Sequence, residues 1–199
     1  SPDGERVLVA RMRSCGSEIR EVATGRVILR LERRSYRNAT FSPDGKKVMI
    51  PYGTGAQIMD LETGIILISF QGHDYDQYIV CAFSPDVATV ATASSPSSHG
   101  TTRLWDAETG RELAELGEDT RNPGPIVTWD GERRGHASPF SPNGTRVLAA
   151  GNAAEIYDTK SGDKLEAFRS YASNGDLASV QAACWSPDGS QIATVNDDG

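Results

Sequence analysis

The chain has 199 residues, 38% of them hydrophobic, with a formal net charge of −7 and an isoelectric point near 5.0. This acidity disfavours nucleic acid and anionic membrane surfaces as partners, because binding to either needs clustered lysine and arginine. No apolar run reaches the roughly 18 residues of a membrane-spanning helix and no signal peptide is visible. Since the chain opens without Met, its localisation is undecided, the cytoplasm being the first expectation.

Five similar segments follow one another along the chain. They read SPDGERVLVA from residue 1, FSPDGKKVMI from 41, FSPDVATVAT from 83, FSPNGTRVLA from 140 and WSPDGSQIAT from 185. Their serines, at positions 1, 42, 84, 141 and 186, are 41, 42, 57 and 45 residues apart. Three of these steps are close to the period of about 40–45 residues typical of four-stranded propeller blades, and the longest contains an insertion.

Each segment combines a tight turn with a β-strand. Pro fixes φ, Asp accepts hydrogen bonds from the backbone just ahead, and Gly tolerates positive φ. Short apolar or alternating runs follow, namely RVLVA, KVMIP, VATVATA, RVLAA and QIATV. Their length and β-branched content are typical of strands, and no helical periodicity interrupts them. The sequence therefore predicts an all-β fold of four-stranded antiparallel units.

A second phrase ends each unit with an acid before a Thr-Gly or Ser-Gly turn. The copies are EIREVATGRVILRL, AQIMDLETGIILIS, TRLWDAETGRELAE and AEIYDTKSGDKLEA. A catalytic carboxylate is needed once or in one pair, whereas this acid recurs in every unit. We therefore expect it to accept backbone hydrogen bonds at its turn. The acids are Glu21, Asp60, Asp106 and Asp158, preceded by Arg20, Met59, Trp105 and Tyr157.

The phrase RLWDAETG, the FSPDG turns and the Gly-His pair at 72–73 resemble the WD-repeat β-propeller family, in the divergent form of bacterial arrays. The resemblance covers essentially the whole chain and implies blades around a central channel. It places blades at 1–31 (partial), 35–70, 78–116, 136–168 and 178–199 (partial), with an insertion at 117–135. Because such propellers usually have seven blades, the remaining blades are expected and the chain is interpreted as a fragment. The alternative is a ring of four, closed by VQAACW on the first blade.

The resemblance also implies a hydrogen-bonded set of His, Ser or Thr, Asp and Trp in each well-formed blade. His73 matches the His and Trp105 the Trp, with Thr92 or Ser94 as the hydroxyl. The Asp position, six residues before the Trp, holds His99. The network is therefore expected to be altered in this blade.

The longer loops are the predicted contact surface. Strands of a meander alternate in direction, so the SPDG and Thr-Gly turns share one face and the longer loops, near 93–100, 117–135 and 169–179, share the other. The middle loop contains residue types that are enriched at interface hot spots, namely Arg121, Trp129, Arg133 and Arg134. The alternative is a variable insertion without a partner.

The leading functional hypothesis is a non-enzymatic scaffold that binds a protein or peptide, for example as the sensor part of a multidomain protein. Two alternatives stay open: a propeller enzyme with an active site in its channel, like quinoprotein dehydrogenases or propeller peptidases, and a purely structural repeat. No catalytic set, cofactor site or metal site is predicted, since His73, Asp74 and Asp76 have no further ligand in sight. The cysteines, Cys15, Cys81 and Cys184, lack close pairing and are expected to be thiols.

Overall fold

The computed structural model describes residues 1–9, 17–31, 39–73, 79–94, 101–116, 138–150, 153–178 and 180–196. Regular structure in these ranges consists of β-strands, and no helix in them could cross a membrane. The strands form successive small sheets, which we call blades one to five.

The strand bounds follow the repeats. Blade one contains β1 (Arg6–Val9), β2 (Ser17–Glu21) and β3 (Val27–Leu31). Blade two contains β4 (Thr40–Phe41), β5 (Lys47–Tyr52), β6 (Gly55–Asp60) and β7 (Ile66–Gln71), and blade three contains β8 (Val80–Phe83), β9 (Thr89–Ala93), β10 (Thr102–Asp106) and β11 (Glu112–Leu116). Blade four contains β12 (Arg146–Ala150), β13 (Ala154–Asp158) and β14 (Lys164–Phe168). A small hairpin, β15 (Ser170–Tyr171) and β16 (Leu177–Ala178), precedes blade five, which contains β17 (Val180–Trp185) and β18 (Ile192–Asn196).

Every blade is an antiparallel meander. Strands pair in chain order, as β4-β5-β6-β7 in blade two and β8 to β11 in blade three, and Phe140 bridges Val147 where blade four has its inner strand. The predicted all-β fold of four-stranded antiparallel units is thus confirmed. Because strand direction alternates, we call the side with the Ser-Pro and Thr-Gly turns the turn face and the opposite side the loop face.

One hydrogen-bond pattern closes the turn after each inner strand. In blade two, Ser42 Oγ accepts from the Lys47 N–H at 2.9 Å and donates to Asp44 Oδ1, which also accepts from the Lys46 N–H. The pattern recurs at Ser1–Asp3, Ser84–Asp86, Ser141–Asn143 and Ser186–Asp188. In blade three, Val87 occupies the left-handed position with φ 61° that Gly fills in the sister turns. Its side chain packs against the core between blades two and three, which offsets the strain.

The hydrophobic core lies between the blades. Alternate residues of one strand face opposite neighbours: in β5, Val48 packs towards blade one and Met49 towards blade three. Further clusters join blade three to blade four and blade four to blade five. The indole N–H of Trp185 also donates to the Pro139 carbonyl at 2.9 Å, which ties blade five to blade four. Each blade is therefore stabilised mainly by its neighbours.

The outer strands share a β-bulge. In each, one residue is left without a partner on the neighbouring strand just after the Thr-Gly or Ser-Gly turn. The bulged residues are all apolar: Ile28, Leu67, Leu113 and Leu165. We call the surface formed by these outer strands the rim.

In the described ranges, the outward side of blade one has no neighbouring blade, and the outer strand of blade four has no neighbouring outer strand, because blade five contains only β17 and β18. Val7 is 44% exposed, whereas the equivalent valines of the next three blades, Val48, Val90 and Val147, are fully buried. Phe168 is also 44% exposed, whereas the equivalent Leu31, Phe70 and Leu116 are buried. The same repeat position is therefore buried only where another blade packs against it.

Candidate functional site

Blade three contains the hydrogen-bonded network that the sequence pattern pointed to. The Trp105 indole N–H donates to Thr92 Oγ1 at 2.7 Å, and His73 Nε2 lies 2.8 Å from the same oxygen. The other ring nitrogen, His73 Nδ1, lies 2.6 Å from Thr101 Oγ1. Two proton orders satisfy these contacts: either Thr92 donates to Nε2 and Nδ1–H donates to Thr101, or Nε2–H donates to Thr92 and Thr101 donates to Nδ1.

One residue that pairs with His73 is not part of the family pattern. His99, at the expected Asp position, lies outside the described residues, and among the described residues the Thr101 hydroxyl contacts His73 Nδ1. Ser94 makes a different contact, since its hydroxyl accepts from the Thr101 N–H at 2.9 Å. Sequence reasoning missed Thr101 because the family spacing points to position 99. The network joins the end of β7 to β9 and β10, which gives it a structural role.

Gly72 lets two side chains pack close to the backbone where this network meets the rim. A Cβ atom there would lie 2.9 Å from Arg103 Nη1 and 3.1 Å from the edge of the Trp105 ring. Arg103 itself binds two carboxylates of β11, those of Glu112 and Glu115, each at 2.8 Å. The Gly-His pair therefore allows the arginine and the indole to pack against the backbone.

The recurring acids hold their own turns. Asp106 Oδ1 accepts from the Thr109 N–H at 2.7 Å, from the Thr109 hydroxyl and from the Glu108 N–H. These bonds, with that of the Thr109 hydroxyl foremost, lower the pKa of Asp106. Asp60 and Asp158 accept the equivalent bonds and their pKa values are also lowered. Glu21, with a longer side chain, accepts from the Thr24 hydroxyl and lies 3.9 Å from Arg26.

The lowered pKa values leave Asp60, Asp106 and Asp158 little capacity for proton transfer. A catalytic acid or base needs a pKa near the working pH, whereas stabilisation of the ionised form moves the pKa of these three aspartates the other way. Burial raises the pKa of the Cys81 thiol to about 12, which makes it unreactive. Within the described ranges, no three His, Cys, Asp or Glu side chains lie close enough to hold a metal ion.

The loop face carries exposed aromatic and apolar side chains. Tyr52 lies at the tip between β5 and β6, and Tyr171 pairs with Leu177 across the β15–β16 hairpin, all three being exposed. The sequence contains a signal for this hairpin, because YASNGD matches FSPDGK. Asn174 Oδ1 accepts from the Asp176 N–H at 3.0 Å, in the manner of Asp44 in its turn. The predicted contact residues Arg121, Trp129, Arg133 and Arg134 lie outside the described residues.

Comparison with known proteins supports the repeat assignment. Residues 64–106 match the family model described as WD domain, G-beta repeat. Among solved structures, the chain is similar to a β-propeller chain of Kuenenia stuttgartiensis hydrazine synthase, with a TM-score of 0.68 and 16% sequence identity. The match covers 98% of this chain and 53% of the hydrazine synthase chain, so this chain spans about half the length of the hydrazine synthase chain. No curated protein sequence matches the chain.

Proposed function

We propose that this chain, a divergent WD-repeat β-propeller, is a non-enzymatic interaction platform whose loop face binds a protein partner. WD repeats generally mediate contacts between proteins, and a shared fold at 16% identity transfers no activity from hydrazine synthase. Two parts of this proposal do not follow from the fold: that the chain has no catalytic role, and that the loop face, not the turn face, binds the partner.

The observation that carries the proposal is the contrast between the two faces. On the turn face, the polar groups of the repeated turns are engaged in hydrogen bonds within their own turns. On the loop face, Tyr52, Tyr171 and Leu177 are exposed without a packing role in the described core, whereas the exposed apolar side chains of the repeated turns, Val22 and Ile65, are aliphatic. Tyrosine combines a large apolar area with a polar tip, and it is enriched at interface hot spots. The loop face therefore offers the chemistry of a protein contact.

The hairpin is suited to a contact because its shape is fixed. Its turn is closed by backbone bonds from the Ala172 N–H to the Asp176 carbonyl at 2.8 Å and from the Gly175 N–H to the Ala172 carbonyl at 2.9 Å. Tyr171 and Leu177 are directly opposite each other, so they present one continuous apolar surface. A preformed surface loses less conformational entropy on binding than a mobile one.

The experiment first isolates a partner and then maps it. The immobilised chain captures proteins from a lysate of its source organism, and each candidate is purified and titrated against variants. We expect the double variant Tyr171→Ala/Leu177→Ser to weaken binding by about tenfold or more. Trp129→Ala and Arg133→Glu test the long insertion in the same way.

The matched control is Val22→Ser, which removes an equally exposed apolar side chain from the turn face. Binding that is lost in Val22→Ser and retained in the hairpin and insertion variants would overturn the choice of face. Turnover of a substrate by the purified chain alone would overturn the non-enzymatic role.

A further inference from the structure

The outer edge of blade two has no charged side chain. β7 is the last strand of its sheet, and no strand that the structure describes pairs with its outer edge. The stretch from Gly64 to Gln71 reads GIILISFQ. Its first three side chains after the glycine are exposed to 60% for Ile65, 47% for Ile66 and 48% for Leu67. We call residues 65–71 the uncharged edge.

Each of the other described outer strands has a charged side chain at one or both of the positions equivalent to Ile66 and Ser69. At these two positions β3 has Val27 and Arg30, β11 has Glu112 and Glu115, and β14 has Lys164 and Ala167. Charged side chains on edge strands hinder pairing with another chain. Blade two lacks this protection.

The cross-strand pair at the position of Ser69 shows the same difference from blades one and three. In blades one and three, the pair at this position is ionic: Glu18 with Arg30 at 3.2 Å and Arg103 with Glu115 at 2.8 Å. In blade two the same pair is neutral, because Gln57 Nε2 donates to Ser69 Oγ at 3.1 Å. Both members are uncharged, so an approaching strand meets no fixed charge on this part of the sheet.

We propose that the uncharged edge binds a second copy of this chain, with the two β7 strands antiparallel about a two-fold axis. Blade two of each copy would then form one continuous eight-stranded sheet. Two-fold pairing brings identical residues of the two copies together, so a charged edge would repel itself and this edge does not. Ile66 and Leu67 of one copy lose exposed apolar surface against the other. The rim is separate from the loop face, so a dimer still presents both loop faces.

The test measures self-association of the purified chain by sedimentation velocity over a range of concentrations. We expect a dimer for the wild type. Ile66→Lys introduces the residue that β14 has at this position, and we expect it to raise the dissociation constant by about tenfold or more. Ser69→Glu, taken from β11, serves as a second variant in case Ile66→Lys fails to fold, and circular dichroism checks both.

The control is Leu165→Lys, at the bulge of the charged strand β14, where Leu165 is exposed to the same degree as Leu67. We expect it to dimerise like the wild type, and hydrogen exchange at residues 68–71 to slow as the dimer forms. A wild type that stays monomeric would overturn the proposal. The proposal would also be overturned if Val7→Ser, on the uncovered side of blade one, lost the dimer while Ile66→Lys and Ser69→Glu kept it. The sedimentation experiment contains no partner protein, so its outcome does not depend on whether the loop face binds a partner.

Discussion

The indole N–H of Trp105 donates a hydrogen bond of 2.7 Å to the hydroxyl of Thr92, and both side chains are buried. Thr92→Val keeps the shape of this side chain but removes the oxygen that Trp105 and His73 share. Buried polar groups left without a partner destabilise a protein by about 1–3 kcal/mol, so we expect a loss of that size in the free energy of unfolding. Urea denaturation followed by tryptophan fluorescence measures it.

Thr92→Ser is the control for this network. It retains the hydroxyl and loses one methyl group, so we expect it to destabilise by about 1 kcal/mol. If Thr92→Val were no more destabilising than Thr92→Ser, the hydrogen bonds would contribute nothing beyond packing.

Two turn glycines separate backbone strain from packing. Gly45 and Gly162 both have positive φ, 68° and 75°. A Cβ at Gly45 would meet only ordinary contacts, the nearest 3.7 Å away, whereas one at Gly162 would lie 2.2 Å from the Ala114 Cβ of the preceding blade. We expect Gly45→Ala to destabilise by about 1–2 kcal/mol from strain alone, and Gly162→Ala by about 1–3 kcal/mol more from overpacking. Urea denaturation of both variants gives the difference.

A compensating change tests the cause of that difference. Ala114→Gly makes room for the added methyl group, so we expect Gly162→Ala/Ala114→Gly to be more stable than Gly162→Ala alone. Additive effects in this double-mutant cycle would show that the two blades do not contact each other at this position.

The repeated elements could be predicted from sequence because their causes are local. The turn at Ser42–Lys47 is specified by its own residues, and so is the turn anchored by Asp106. The partner of His73 could not be predicted in this way. It depends on which hydroxyl β10 brings next to Nδ1, and the structure provides Thr101.

Two further features depend on tertiary contacts. Val87 adopts a backbone conformation that normally favours Gly, because its side chain gains packing between two blades. The cross-strand pairs beside the uncharged edge are known only from the hydrogen-bond register, which places Ser69 opposite Gln57 and Glu115 opposite Arg103. A repeat alignment alone gives the positions but not these pairings.

The turn acids predict a loss of stability in acid. Hydrogen bonds to the ionised carboxylates, led by that of the Ser186 hydroxyl, lower the pKa of Asp188 to about 2, below its ordinary value of 3.8. The unfolded chain therefore takes up protons first as the pH falls, and the stability that is present above pH 4 is lost between about pH 4 and 2. Urea midpoints at pH 7 and pH 3 measure this loss.

An asparagine variant provides the control, because Asn143 already accepts the Thr145 N–H at 3.1 Å in place of an aspartate. In Asp188→Asn, at the position equivalent to Asn143, we expect most of the stability at pH 7 to be retained and the decline towards pH 3 to be shallower. An unchanged decline would mean that other groups cause the acid sensitivity.

Two phenylalanines at the same repeat position test whether the blades stabilise one another. Phe70 is buried against blade three, with its ring centroid 5.5 Å from that of Trp105, whereas Phe168 is 44% exposed. We expect Phe70→Ala to destabilise by about 3–5 kcal/mol, because it leaves a cavity between two blades, and Phe168→Ala by about 1 kcal/mol. Denaturation at two protein concentrations, in the Ile66→Lys background so that the proposed β7 dimer does not contribute, measures both. An equally large effect at both positions would mean that another surface covers Phe168 in solution, and a dependence on concentration in this background would identify that surface as a second copy of the chain.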